Sequence, residues 1–373
     1  MGQTLTVNVK RADTLSETDR MAWATLRASN PQCYSPYFHI NYTETLSELR
    51  DDVYIACVYH ADLPFAFLPY QGETFAKPVG APMTDYHGFI CKPEAQFDPV
   101  HILKTANIGA YHFSAVVNNQ LTPHSQTTDE GVLMDVSQGA EGWRGERDGS
   151  YRRHLKSNRR RIRKAGEDIG EPRFVWASKD QAIFDQLIAW KKQKFAETGK
   201  YDVLSANWTM ELLTRLWSGA EAELRCDMHA LYFGDRLAAI DLGLTDGKTF
   251  HSWIVAYDGE LHSYAPGIQL LEALIDKSEA LGYTRLDLGV GTDGYKRHYA
   301  TEPVKTSSGF IAAKGTAAAF SNLYSKAESF GQKALKDVPG KLRRRYTQIA
   351  ACEDSVSGRA KAILSAVKSN ARS

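Results

Sequence analysis

The sequence predicts an α/β protein of two modules, each with a mixed, largely antiparallel central sheet flanked by helices, followed by a basic helical tail. The length of 373 residues suits two domains of about 100–200 residues each. In the second half, three strands joined by tight turns precede a helix and a further strand, and the first half shows a weaker version of this order. We expect an N-terminal domain at 1–145, a C-terminal domain at 146–313 and the tail at 314–373.

The first half alternates helices with short apolar strands. A helix is predicted at 16–27, because its first residue and the acid three positions on form a capping box. Pro36 predicts the start of a second helix, since proline is favoured in a first turn. Pro64 and Pro69 predict that their strand is irregular or lies at a sheet edge. The other predicted elements are strands at 53–59, 65–70, 86–90 and 110–116 and a helix at 99–105.

The second half has the clearer pattern. Gly234-Asp235 and Asp246-Gly247 are turn dipeptides between apolar strands, which predicts an antiparallel meander. An amphipathic helix follows, and Gly282 is placed to end it in the left-handed conformation. The predicted elements are helices at 152–165, 180–197, 207–218, 267–281 and 295–300, and strands at 174–177, 228–233, 236–244, 248–257, 283–288 and 310–313.

Composition excludes several classes of protein. The mean hydropathy is -0.39, and no apolar run is long enough to cross a bilayer. The first residues lack the apolar core of a secretory signal, so we expect a cytoplasmic protein. Five cysteines, without a CxxC pair, indicate scattered structural thiols in a reducing compartment. No metal-ligand spacing occurs, and we expect no metal cofactor.

Charge is distributed unevenly along the chain. The net charge of +1 combines a tail of +8 from Lys314 onward with -7 in the preceding residues. Within these first 313 residues, which are acidic overall, 8 of the 13 residues at 152–164 are Lys or Arg. A further basic cluster, KLRRRY, occupies 341–346. Such clusters indicate anionic partners, and for 341–346 we expect cyclic di-GMP or an acidic membrane surface; the alternative is a solvated tail.

Several motifs together resemble one known family. They are Ser35-Pro36-Tyr37, the segment from Pro64 to Pro69, Asp85-Tyr86, the arginine-rich segment 151–164, Tyr264-Ala265-Pro266-Gly267-Ile268 and Gly291-Thr292-Asp293-Gly294-Tyr295-Lys296-Arg297. In this order they resemble GNAT-type acetyltransferases of the CelD or cellulose-biosynthesis group, which are linked to exopolysaccharide formation, including the holdfast of stalked bacteria. That group is similar to the Fem-type aminoacyltransferases, which are two fused GNAT modules. The resemblance, over residues 20–310, implies two tandem GNAT-like modules with acetyl-CoA as co-substrate.

The loop that leads into the helix after the meander is the predicted cofactor site. The first amides of a helix have no internal partner and carry partial positive charge, so a pyrophosphate such as that of CoA could bind there. The candidates are Pro266, Gly267, Ile268 and Gln269; the alternative is an ordinary helix start. The segment 289–294 also matches a dinucleotide fingerprint, but hairpins precede it, so we expect only a loop that approaches a ligand.

Three residues near this loop are the predicted catalytic residues. Asp287 lies in an apolar strand, where it could accept a proton from an amine or hydroxyl nucleophile; alternatively it pairs with Lys296 or Arg297. Tyr295 and Lys296 fall where the family has its Tyr-Lys pair. The resemblance to Fem-type proteins implies that Lys296 faces the reacting end of the ligands, where its ammonium could offset charge on a carbonyl oxygen. The alternative is a surface lysine.

The predicted substrate-binding residues are Asp85, Tyr86, His87, Arg159 and Arg297. The first three could line the far side of a cleft between the domains, where ligand sites are common. Arg159 belongs to the basic helix, whose arginines could recognise a phosphate on a nucleotide sugar or lipid carrier. The alternative is a solvated basic helix. No aromatic residues alternate with the arginines, which disfavours nucleic acid as a partner.

Three functions remain open from the sequence. The first is acetyl transfer from acetyl-CoA to a nitrogen or oxygen of a sugar in a surface exopolysaccharide or its precursor, by an enzyme in the cytoplasm or at the inner membrane face. The second is a Fem-type transferase that uses aminoacyl-tRNA to build a peptidoglycan bridge, with the basic helix holding RNA. The third is a non-catalytic ligand-binding module that has kept the fold.

Overall fold

The computed structural model describes residues 4–117, 120–219, 222–292 and 294–313, together with Ile349 and Cys352. The basic cluster at 341–346 and the predicted helical structure of the tail lie outside these residues. The chain divides into two compact units. Unit 1 takes the described residues up to Asp129, Ser205–Leu212 and those from Lys305 onward, and unit 2 comprises Glu130–Leu204 and Leu213–Val304.

Unit 1 begins with nine regular elements. They are β1 Leu5–Lys10, α1 Glu17–Ser29, α2 Ile40–Leu49, β2 Val53–His60, β3 Leu63–Gln71, β4 Phe75–Pro78, β5 Ile90–Cys91, α3 Pro99–Thr105 and β6 Ala110–Val116. The strands follow the order β1-β2-β3-β4-β6, and β5 pairs with β3. All of these pairs are antiparallel except β4 with β6. The predicted capping box of α1 is confirmed: Ser16 and Asp19 bond reciprocally.

Three sequence predictions for unit 1 need correction. The helix expected at Pro36 is only a 3-10 turn there, and α2 starts at Ile40, where the His39 ring caps the Asn41 amide. The strand expected at 86–90 is reduced to β5. The proline-containing strand β3 is not an edge, because β2 pairs along its length and β4 and β5 pair on the other side. It is irregular as predicted, with a shift of register opposite Pro64.

The remaining elements begin with a strand that contains residues of both units. They are β7 Ser125–Asp135, α4 Gly139–Gly145, α5 Gly149–Asp168, β8 Pro172–Val175, α6 Gln181–Glu197, α7 Asn207–Ser218, β9 Arg225–Phe233, β10 Arg236–Thr245, β11 Thr249–Tyr257, α8 Pro266–Lys277, β12 Arg285–Val290 and β13 Glu302–Ala312. The sheet of unit 2 runs β7-β12-β11-β10-β9-β8, and β13 adds to β6 in unit 1. The α/β fold class predicted from the sequence is confirmed.

The predicted meander is also confirmed, since β9, β10 and β11 pair antiparallel in sequence order. Helix α8 packs its apolar face over this sheet, where Leu271, Leu274 and Ile275 share a buried cluster with Phe250. The helix ends at Lys277, earlier than predicted, and a 3-10 turn leads to Gly282. Gly282 has the predicted left-handed conformation, with φ 82°.

Candidate active site

The sheet of unit 2 opens between β11 and β12. These strands pair in parallel at only three positions, ending with His251 beside Asp287. Both strands continue beyond that point, β11 to Tyr257 and β12 to Val290. Their facing edges are no longer joined, so their backbone groups border an opening in which a ligand can bond to main-chain atoms. We call this opening the wedge.

A bulge in β11 lies at the start of the wedge. Leu242 faces Ile254 while Gly243 faces Ser252, so Trp253 is an extra residue on β11. Bulges of this kind bend a strand and re-aim its side chains, and they are common beside active sites. The bulge therefore determines where Ser252 points.

Ser252 points at a buried carboxyl group that the sequence analysis missed. Its hydroxyl donates to Asp241 Oδ2 at 2.8 Å. Asp241 is 5% exposed, and its Oδ1 accepts no hydrogen bond from the described residues. Burial raises the pKa of Asp241 to about 7, because the Ser252 bond and the charges of His251 and Lys191 offset only part of the desolvation. A carboxyl group of this kind can exchange a proton near neutral pH.

The predicted base Asp287 has a different environment. Its side chain is fully buried, and its Oδ1 accepts the Gly289 amide at 2.7 Å and lies 3.5 Å from His251 Nδ1. These contacts hold the last residues of β12. The structure therefore places Asp287 inside the sheet, and of the two carboxyl groups only Asp241 retains an oxygen without a described hydrogen-bond partner.

The loop after β12 returns to the end of that strand. Lys296 Nζ donates to the Leu288 carbonyl at 2.6 Å, which places this predicted catalytic ammonium at the wedge end of β12. Tyr295 keeps 38% of its surface exposed. Burial of its phenol group, with the nearby Asp241 and Tyr257, raises the pKa of Tyr295 to about 12. The phenol is therefore protonated at neutral pH and can donate a proton. Arg297, the other predicted cation, is exposed.

A buried polar network anchors this loop. Tyr299 is fully buried, and its hydroxyl donates to Glu272 Oε1 at 2.8 Å and lies 3.2 Å from His154 Nε2. Tyr151 donates to the same carboxylate at 3.0 Å, and Arg144 pairs with it at 3.2 Å. Three donors thus satisfy a carboxylate that would be costly to bury alone. None of these partners is adjacent in sequence, which is why the sequence analysis missed the network.

The helix N-terminus predicted as the CoA cradle offers fewer amides than expected. The Ile268 and Gln269 amides both donate to the Ala265 carbonyl, at 3.0 and 3.1 Å. The Gln269 side chain is buried and donates to the Asn158 carbonyl. Because Pro266 has no N–H, the Gly267 amide is the one amide at the start of α8 that donates to no carbonyl among the described residues. A Cβ at Gly267 would lie 3.9 Å from the Tyr257 ring. The expectation of several open amides is therefore wrong for Ile268 and Gln269.

A groove of about 730 Å³ runs beside the outer end of β11. Aromatic and polar side chains share its walls, and Tyr257 links it to Gly267 and Tyr295. Such a mixture of apolar surface and placed polar groups is typical of small-molecule sites. Its lining residues are Trp190, Lys191, Gln193, Lys194, Glu197, Arg236, Val255, Ala256, Tyr257, Asp258, Gly259, Glu260 and His262.

The predicted substrate residues Asp85, Tyr86 and His87 belong to unit 1. Tyr86 is 1% exposed and Asp85 is half-buried. His87 is 5% exposed, its Nε2 has no hydrogen bond to a described residue, and burial lowers its pKa to about 3. A neutral buried imidazole of this kind is typical of a packed core. Arg159, by contrast, is exposed on α5 in unit 2.

Within the described residues, no group of three or more His, Cys, Asp or Glu side chains is arranged to hold a metal ion. No helix among them is long and apolar enough to span a bilayer.

Comparison with known proteins identifies the domain that contains the wedge. The family model described as "Acetyltransferase (GNAT) domain" matches residues 150–297, from the first turn of α5 to the loop that holds Lys296. No curated protein matches the sequence. Among solved structures, FemX aligns with 79% of this chain and 96% of its own length, at 9% identity and a TM-score of 0.51.

Two further solved structures are weaker matches. The C-terminal domain of a putative lysylphosphatidylglycerol synthetase from Agrobacterium fabrum covers 82% of this chain and 95% of its own, at 12% identity and a TM-score of 0.47. A tandem GNAT protein from the clavulanic acid biosynthesis pathway covers 84% and 99%, at 10% identity and a TM-score of 0.46. At so low an identity, the similarity to FemX shows the fold alone. The family match, in contrast, covers the residues of β11 and β12 that border the wedge. The chain is thus an acyltransferase, and its residues 150–297 match the family model of a GNAT-type acetyltransferase domain.

Proposed function

We propose that this enzyme transfers an acyl group, with acetyl-CoA as the donor, to a nitrogen or oxygen of a sugar in a surface exopolysaccharide or its precursor. The observation that carries the proposal is the end of β11–β12 pairing at His251 and Asp287, next to the buried carboxyl group of Asp241. An open pair of strand edges beside a group that titrates near pH 7 suits the binding of a thioester and the removal of a proton from its attacker.

In this proposal the chemistry is a direct transfer. The acceptor's nitrogen or oxygen bonds to the thioester carbonyl carbon while the Asp241 carboxylate takes its proton. The carbonyl oxygen becomes negative, and the Lys296 ammonium at the end of β12 offsets that charge. When the carbon–sulfur bond breaks, the Tyr295 phenol, protonated at neutral pH, donates a proton to the thiolate. The proton held by Asp241 then restores Tyr295 through solvent.

The groove beside β11 supports a sugar as acceptor. Trp190 and Tyr257 offer flat apolar surfaces, and Gln193, Asp258 and Glu260 offer hydrogen-bonding groups on the same walls. Sugar rings present both apolar C–H faces and hydroxyl groups, so they match this mixture better than a purely apolar acyl chain does. The groove meets the wedge at Tyr257, where an acceptor would approach Asp241.

The test measures free thiol release when the purified chain is mixed with acetyl-CoA and a panel of amino sugars and neutral sugars. We expect release above the rate of acetyl-CoA hydrolysis with at least one sugar, and loss of that release in the Asp241→Asn variant. Release with amino acids or peptides but with no sugar would reject the sugar assignment. Acetyl-CoA binding without release to any acceptor would reject the proposal as a whole.

A further inference from the structure

Helix α5 carries a line of cations along one exposed face. Residues three or four positions apart lie on one side of an α-helix, and the line spans about 16 Å at the usual helical rise. It borders a shallow groove of about 530 Å³. We call the groove-lining residues the α5 stripe: Arg152, Leu155, Lys156, Arg159, Arg160 and Arg163.

The charges of the α5 stripe are not neutralised locally. All five cations are exposed, and within the described ranges none forms an ion pair. Lys164, off the stripe on the same helix, instead pairs with Asp168 at 4.0 Å. Five unneutralised cations in a row create a strong local positive potential, which attracts ligands with several negative charges.

The stripe is supported by a fixed helix. Tyr151, Asn158 and Ala165 on the opposite face are buried, and the Gln269 side chain of α8 bonds to the Asn158 carbonyl at 3.0 Å. Leu155, the single apolar member of the stripe, packs against the core cluster around Tyr151 and Tyr299. It is therefore not free to enter a lipid bilayer. The stripe also contains no aromatic residue on which a nucleic-acid base could stack.

One end of the stripe adjoins the reactive loop. Two residues before Arg152, Ser150 Oγ lies 3.1 Å from His298 Nδ1, and the rings of His154 and His298 stack at 4.7 Å. His298 is two residues from Lys296. A chain bound along α5 would therefore have one end beside the loop that carries the predicted catalytic lysine.

We propose that the α5 stripe holds the acceptor as an anionic glycan, a sugar chain with repeated carboxylates, whose reacting sugar lies at the Lys296 loop. A repeated charge along a flexible chain matches a row of arginines, which bind carboxylates in a planar, bidentate manner. Without base-stacking aromatics or free apolar side chains, the stripe suits such a glycan better than single-stranded RNA or a bilayer. The catalytic part of this inference rests on the proposed function, whereas the binding part does not.

The experiment compares two triple variants with the wild-type chain. The stripe variant is Arg152→Gln, Arg159→Gln and Arg163→Gln. The control variant, Lys104→Gln, Lys164→Gln and Lys192→Gln, removes the same charge from exposed positions off the stripe. Binding of fluorescent oligogalacturonate is measured by anisotropy at low and high salt, with maltoheptaose as the neutral probe, and RNA and acidic vesicles as competitors.

We expect salt-sensitive binding of oligogalacturonate by the wild type and the control, at least about tenfold weaker binding by the stripe variant, and no binding of maltoheptaose. Equal binding by all three chains would overturn the proposal, as would stripe-dependent binding of RNA or vesicles without oligogalacturonate. The stripe variant should also show a raised KM for a charged acceptor with unchanged kcat. A wild type that binds oligogalacturonate but releases no thiol would reject the proposed function and leave the binding site standing.

Discussion

At the scale of single residues, two carboxyl groups in one sheet have opposite environments. Asp287 is enclosed and accepts the Gly289 amide, whereas Asp241 has one bonded oxygen and one without a described partner. Both aspartates lie within apolar strands, so the neighbouring residues in the sequence do not show which of the two is enclosed. The difference arises from the bulge at Trp253, which turns the Ser252 hydroxyl towards Asp241.

Asp241→Asn should remove the general base while preserving the shape of the site. We expect kcat to fall by about 100-fold or more, the usual contribution of a positioned proton acceptor. In the wild type, kcat/KM should rise with pH to a plateau above about pH 7, since the carboxylate is the active form. In the variant this inflection should be absent. A pH–rate profile of both chains is the measurement.

The same substitution should stabilise the fold at high pH. The folded pKa of Asp241, about 7, exceeds the value of an unfolded aspartate, so the folded chain holds this proton more tightly. Stability therefore declines as pH rises from about 4 to 7, and the penalty is complete above pH 7. We expect a higher Tm for Asp241→Asn than for the wild type at pH 8, and equal values near pH 4. Equal Tm values at both pH values would show that Asp241 ionises normally.

Lys296→Ala tests the predicted electrostatic role of the ammonium. We expect kcat to fall at least about tenfold, which corresponds to roughly 1.4 kcal/mol of lost transition-state stabilisation, with little change in Tm. Lys192→Ala, on the exposed surface of α6, is the matched control and should keep full activity. Wild-type turnover by Lys296→Ala would place the reacting carbonyl elsewhere.

At the scale of elements, the site depends on how strands and helices end. Parallel pairing of β11 and β12 stops while both strands continue, and α8 begins beside Tyr257. The Pro-Gly start of α8 was visible in the sequence, but the bonds that occupy the Ile268 and Gln269 amides were not. At the start of α8, the Gly267 amide and the space next to it therefore remain open to a ligand.

Gly267→Val should obstruct that space. The added Cβ itself fits, at 3.9 Å from the Tyr257 ring, but the two further methyl groups extend towards any ligand at the helix start. We expect the Kd for acetyl-CoA to rise about tenfold or more with an unchanged Tm, because valine is no worse than glycine within a helix. Isothermal calorimetry is the measurement. Gly145→Val, at the end of α4 where a Cβ meets nothing within 4 Å, is the control. Unchanged affinity in folded Gly267→Val would place the CoA pyrophosphate at another site.

Tyr299→Phe tests the anchor of the reactive loop. It removes the hydroxyl that donates to Glu272 and contacts His154, and leaves a buried carboxylate with one donor fewer. We expect a loss of about 1–3 kcal/mol in the free energy of unfolding, measured by urea denaturation, and a fall in kcat as the loop loosens. Tyr54→Phe, which removes an exposed bond to Glu73, should change stability by less than about 0.5 kcal/mol. Equal effects of the two substitutions would contradict a special role for the network.

At the scale of the whole molecule, the chain forms two compact units, and the family match lies in unit 2 apart from Ser205–Leu212, which belong to unit 1. If acetyl-CoA binds at the wedge, its effect on hydrogen exchange should follow this division. We expect slower amide exchange in β11, β12 and the first turn of α8, and unchanged exchange in β1, β2 and β3. Protection confined to unit 1 would move the donor site out of the matched domain.

Features that depend on neighbouring residues could be predicted from the sequence. The turn dipeptides produce the β9–β11 meander, the Ser16–Asp19 box starts α1, and Gly282 adopts its left-handed conformation, because each signal acts within a few residues. Which buried acids are enclosed and which can still bond to a ligand depends instead on the packing of distant segments. Asp241 obtains its environment from a bulge on the next strand, and Glu272 bonds to Tyr151 across 121 residues of sequence. Such environments arise when distant segments pack together and water is excluded, and no local pattern encodes that exclusion.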